Sequence, residues 1–131
     1  IREGASGGDR AAWCLGPDEW LLHAPERDQA AIVAAFAGIR AATPHSLTVI
    51  SDRELTFSVT GRQAEELLSV GCPIDLSRMP PGTARRTVFD SAQVVLIRDG
   101  AEAFRLEVWR SFAPHVRELL DLAAREIASG F

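Results

Sequence analysis

Two short apolar runs, residues 11–15 and 20–24, flank Gly16-Pro17-Asp18-Glu19. Gly-Pro-Asp between apolar runs is turn chemistry, so the pair predicts a β-hairpin. The two-residue period of a strand puts Trp13 and Leu15 on one face, and likewise Trp20 and Leu22. Pro25, followed by Glu26 and Asp28, predicts a helix start with acids set against its positive end. Ile32, Phe36 and Ile39 then recur at helical spacing among alanines, which predicts an amphipathic helix to about Ala42, stopped by Thr43-Pro44.

Residues 47–50 predict a further strand. Residues 55–60 alternate apolar and polar, so one face of that strand is buried and the other is wet or covered by a partner. After Gly61, Ala64, Leu67 and Leu68 mark a short helix that stops at Gly71. A Pro-punctuated connection leads to three strands, 84–89, 93–98 and 103–109, with Asp99-Gly100 as a hairpin signal between the last two. Val94-Val95-Leu96-Ile97 is apolar on both faces and predicts a central strand. Ser111 is the expected N-cap of a final helix. Its apolar stripe is Phe112, Val116, Leu119, Leu120, Ala123 and Ile127, and Asp121 and Arg125 are spaced as an ion pair. This order predicts an α+β fold, a mixed, mostly antiparallel sheet with helices packed on one face.

Gly4, Ser6, Gly7 and Gly8 mark residues 1–10 as a flexible leader, leaving residues 11–131 as a single domain. A chain of 131 residues that is 47 % apolar has the size and composition of one self-sufficient globular core. It opens on Ile1 and so reads as a portion of a longer chain. The apolar runs are too short to span a bilayer. The formal charge is −4 and the arginines are scattered among acids, which argues against nucleic-acid binding. Two well-separated cysteines, Cys14 and Cys72, without a secretory signal, predict reduced thiols and a cytoplasmic protein.

Local catalytic signatures are weak. His23, His45 and His115 lie far apart without metal-ligand spacing. Cys14 reads as core and Cys72 as a structural residue at a helix end. The glycines of 4–8 precede a strand, unlike a phosphate cradle. Asp52 and Glu54 are turn acids. No catalytic, cofactor-binding or metal-binding residue is therefore assigned. One feature goes beyond a plain globular domain: alternation in 103–109 sets Arg105, Glu107 and Trp109 on the face opposite Phe104, Leu106 and Val108. Trp and Arg dominate binding hot spots, so Trp13, Trp20, Arg105, Trp109 and Arg110 are the candidate partner-interface residues.

Three blocks also carry a family resemblance: 15–22 (Leu-Gly-Pro-Asp-Glu-Trp-Leu-Leu), 71–76 (Gly-Cys-Pro-Ile-Asp-Leu) and 104–113 (Phe-Arg-Leu-Glu-Val-Trp-Arg-Ser-Phe-Ala). In this order and spacing they resemble the gamma-subunit family of heterotetrameric sarcosine oxidase, over residues 11–128. That family is related to folate-binding aminomethyltransferases such as the glycine-cleavage T-protein. Gly61-x-x-Ala64-x-x-Leu67-Leu68, then Asp75-Leu76, Gly82 and Thr87, is similar to their wider pattern. The resemblance implies a complex that oxidatively demethylates sarcosine to glycine, with hydrogen peroxide and formaldehyde or methylenetetrahydrofolate as the other products.

It further implies alpha, beta and delta subunits as partners. FAD, FMN, NAD, tetrahydrofolate and zinc are held on those subunits, and this chain is an accessory without a cofactor. The stretch 92–96, which corresponds by eye to the aminomethyltransferase strand bearing a catalytic aspartate, has apolar residues where the acid is needed. The rival reading is a stand-alone folate-binding or one-carbon-transfer protein. An accessory chain removed from its partners exposes interface surface, which implies artificial self-association when isolated.

Overall fold

The computed structural model describes residues 4–130. Its centre is a four-stranded antiparallel sheet of β4 (Glu54–Thr60), β5 (Thr83–Phe89), β6 (Ala92–Gly100) and β7 (Ala103–Trp109), in the order β4-β7-β6-β5. β6 and β7 are interior, as the two-sided apolar run 94–97 predicts. Val94 and Leu96 face one core, while Val95 and Ile97 face the other.

The first core lies under α2 (Ala64–Ser69) and α3 (Ala113–Ala128). There Leu68, Val116 and Leu120 meet Phe89, Phe104, Leu106 and Val108. Helices thus cover one face of the sheet, as expected. The opposite face carries a second sheet, β1 (Gly4–Gly7), β2 (Arg10–Cys14) and β3 (Trp20–His23), all antiparallel. Trp13, Leu15 and Leu21 point inward from it onto Ala84, Val95 and Ile97. The fold is therefore three layers, helices, sheet and small sheet.

Several expectations need correction. Residues 4–10, read as a flexible leader, form β1, its turn and the first residue of β2, because the Gly4–Gly7 backbone completes the hydrogen bonds of β2 in register Gly4↔Trp13 to Gly7↔Arg10. Residues 1–3 of that leader lie outside the described residues. Residues 47–50 pair with no strand; Ile50 leans on the second core, and Val49 is exposed. The last hairpin turns at Ala101-Glu102, whereas Asp99-Gly100 sits in a bulge at the end of β6. Ser111 is not the cap of α3. Phe112 holds that position with no side-chain hydrogen bond, and Pro114, second in the helix after Ala113, brings a fixed φ to its first turn. Asp121 accepts from Arg117, at 2.9 Å, on the same face.

The helix expected from the 32-36-39 spacing is α1 (Gln29–Ile39), preceded by a 3₁₀ turn, Glu26–Asp28. It ends three residues early, where Arg40 N–H donates to Ala37 O, and Ala42 and Thr43 N–H close turns onto the Ile39 carbonyl. No residue of α1 is buried.

Candidate interaction surface

The two sheets are tied by side chains that the sequence pattern had placed on an outer face. Glu107, on β7, is 4 % exposed and lies 2.7 Å from His23 Nε2 on β3. Arg105 approaches the other ring nitrogen, with Nη1 at 3.3 Å from His23 Nδ1. One tautomer satisfies both contacts: Nε2–H donates to Glu107 and Nδ1 accepts from Arg105. Arg105 also donates through Nε and Nη2 to the two Asp99 oxygens, at 2.7 and 2.8 Å. That bidentate pairing is the leading cause that raises the guanidinium above its ordinary pKa.

Trp13 closes this group. Its ring meets His23 edge-on at 4.7 Å, and Arg105 Cζ stands 5.3 Å from its centroid. Trp13 is 6 % exposed. Two of the five expected interface residues, Trp13 and Arg105, are therefore committed inside the chain, because the β2–β3 hairpin, which carries Trp13, packs over the β7 face that carries Arg105.

The other three are outside. Trp20 is 57 % exposed, pointing away from the core that takes Trp13 and Leu21. Trp109, at the end of β7, is 42 % exposed beneath Arg53, whose Cζ is 5.1 Å from the ring centroid. Arg110 is exposed, and its backbone N–H donates to the Arg53 carbonyl at 2.8 Å.

Trp20 opens onto a groove of about 940 Å³ between β3, α1 and residues 46–54. Its apolar lining includes Leu22, Ile32, Val33, Leu47 and Val49. At its edge Arg86 pairs with Glu19 and Arg53 with Glu54, while Glu26 and Asp52 also line it and have no ion pair among the described residues. Sequence reasoning missed this surface, because the spacing of Ile32, Phe36 and Ile39 was read as a core stripe. The signal lay in the other positions: from Gln29 to Ile39 only Gln29 is polar.

Arg98 was also missed. It is 8 % exposed, and all five of its N–H donors are used. Nε donates to Gly100 O, Nη1 to Leu76 O and Met79 O, and Nη2 to Ala101 O and Glu65 Oε2. This one side chain fastens the connection after α2 to the end of β6. The 71–76 block is structural in the same way. Gly71 lies against the Phe89 ring, Cys72 is buried, and Asp75 accepts from Ser77 to start a 3₁₀ turn.

Burial pushes the Cys72 thiol up to about 11, which keeps it protonated and a poor nucleophile. Both cysteines are free. Among the described residues no group of three His, Cys, Asp or Glu is placed to hold a metal ion. Among them, too, no helix is long and apolar enough to cross a membrane.

A layered α+β domain whose buried polar groups serve its own folding, and whose apolar groove and helix lie outside, has the features of an interaction module. Residues 3–126 match the model of the sarcosine oxidase, gamma subunit family, and the chain belongs to that family. Among solved structures it is similar to a chain of the heterotetrameric sarcosine oxidase from Corynebacterium sp. U-96, determined in complex with pyrrole 2-carboxylate. The TM-score is 0.82 at 28 % identity, covering 95 % of this chain and 65 % of that one. No curated protein matches the sequence.

Proposed function

We propose that this chain is a non-catalytic accessory subunit of a heterotetrameric sarcosine oxidase, the complex that oxidatively demethylates sarcosine to glycine. The observation that carries the reading is the family match over residues 3–126, joined to a shared fold at TM-score 0.82 with a chain of such an oxidase. Its partners on this reading are alpha, beta and delta subunits. Flavin, NAD, folate and zinc chemistry then belongs to those partners. In support, the β6 positions compared with the aminomethyltransferase catalytic strand are filled by Val94, Val95 and Leu96, each buried in one of the two cores. A carboxylate there would displace core.

Kinship with the folate-binding aminomethyltransferases is supported by the 61–68 motif, which forms a strand-to-helix corner. β4 ends at Thr60, Gly61 takes a φ of +119°, and α2 begins at Ala64. Only glycine adopts that conformation without strain.

The test is to purify the tagged chain gently from its native host. Three co-purifying chains, flavin absorbance and sarcosine-dependent peroxide production are the expected result. A colourless single chain without activity overturns the reading.

A further inference from the structure

We propose that α1 and the groove beside it, lined by Trp20 and Val49, are the seat of a larger subunit of the oxidase, which inserts an apolar helix or ridge without acidic side chains there. The proposal rests on the accessory-subunit reading above and adds the face and the chemistry of its occupant. A helix that is apolar all round is normally buried from every side. α1 is such a helix, with no charged residue from Gln29 to Ile39, yet none of its residues is buried by this chain. Ile32 and Phe36 are half-covered, whereas Val33 is 42 % and Ile39 51 % exposed.

The groove continues this apolar surface. Trp20 at 57 % and Val49 at 51 % exposure line it opposite α1. Such a combination, a large aromatic beside aliphatic side chains around a concavity, is how anchor pockets are built. The edge charges select against an acidic occupant, because Arg86 and Arg53 already have their carboxylates in Glu19 and Glu54, and Glu26 and Asp52 add negative charge to the same lining. An incoming carboxylate would have to break these pairs or be desolvated without a partner. The occupant is an unlike chain because the solved relative is a chain of a heterotetramer. Arg53 links the groove to Trp109, so the seat reaches the exposed end of β7.

The tagged chain is co-expressed with the other oxidase subunits as wild type, Val33→Arg and Ile39→Arg. Wild type brings the larger subunits down, and each variant recovers them at least tenfold less while its own circular dichroism is unchanged. A second measurement is independent of how the arginine variants fold. In the assembled complex, Val33→Cys reacts with a maleimide at least tenfold more slowly than Glu118→Cys, although both positions are exposed in the chain alone. Wild-type recovery by both arginine variants, or equal labelling rates, overturns the proposal. A chain that dimerises through α1, losing the dimer but not the complex in the variants, overturns it in favour of a second copy. If wild type itself recovers no other subunit, the accessory-subunit reading fails first.

Discussion

Replacing Arg98 with Met keeps the unbranched stem as far as the Nε position and removes every polar contact the side chain makes. The Leu76 and Met79 carbonyls then lose the Nη1 donor that reaches them at 2.7 and 2.9 Å. Leu76 and Met79 are at most 2 % exposed, so water has poor access to their surroundings. The Leu76 carbonyl keeps the Met79 N–H at 3.0 Å, so the Met79 carbonyl is the buried acceptor left without a partner, at a cost of about 1–3 kcal/mol. The remaining contacts matter less. Gly100 and Ala101 sit in the turn and can bond water, and the 3.3 Å bridge to a partly exposed Glu65 is worth under about 1 kcal/mol. Loss of the stacking on Phe104, now 4.9 Å from Cζ, adds roughly 0.5–1 kcal/mol. The sum is about 2–5 kcal/mol, and at this chain length it lowers Tm by roughly 6–20 °C. Urea unfolding followed by tryptophan fluorescence is the assay, with a lower midpoint at unchanged slope as the expected result. Arg98→Lys restores less than half, because three donors on one nitrogen cannot span five acceptors. A loss below about 1 kcal/mol in Arg98→Met refutes the reasoning, since residues 76–82 would then hold their place without the guanidinium.

Gly71→Ala sets a Cβ 2.8 Å from the buried Phe89 ring, and overpacking of this kind costs about 1–3 kcal/mol; Phe89→Leu in the same chain recovers part of the melting temperature. His23→Leu leaves the Glu107 carboxylate buried without its nearest partner and lowers stability by about 3–5 kcal/mol, whereas the double His23→Leu/Glu107→Leu variant is less damaged. A coupling energy near zero in that thermal-melting cycle refutes the inter-sheet tie. The Cys72 thiol, at about 11 in the folded chain, keeps its proton where the unfolded chain, near 8.5, gives it up. Its contribution is therefore complete below about pH 8.5 and is lost as pH rises toward 11, so the urea midpoint falls more from pH 8 to pH 10 in wild type than in Cys72→Ala.

The main sheet was legible because each of its strands states its environment in the sequence. The two-sided apolar run 94–97 reads as interior, and the alternation in 103–109 separates Phe104, Leu106 and Val108 from Arg105 and Glu107. Alternation says which residues share a face but not what covers it. Arg105 and Glu107 were therefore read as facing a partner, and the structure sets the β2–β3 hairpin over them. Trp13 was misread for the same reason, being a large aromatic whose neighbour is supplied by a distant element. The edge strand β1 was invisible because four residues of Gly, Ala and Ser carry no apolar signal, and it pairs with β2 through its backbone. Arg98 was hidden too. Its five acceptors are mostly backbone carbonyls from three separate segments, and a sequence shows none of these as partners.

A spacing argument fails differently at α1. Periodicity identifies a buried face by contrast with a polar one, and residues 29–39 offer almost no contrast. Choosing Ile32, Phe36 and Ile39 out of an apolar helix therefore imposed a stripe on a cylinder. The uniform composition itself carried the information, since an all-round apolar helix needs more cover than one domain face provides. Fold and assembly thus use different parts of this chain. Arg98, Glu107, His23 and Trp13 are spent internally, joining helices, sheet and small sheet. Trp20, Val33, Ile39 and Val49 remain outside both cores, each 42–57 % exposed. Substitutions should follow that division. Changes in the first group lower the stability of the chain, and changes in the second leave the chain folded while altering what it binds.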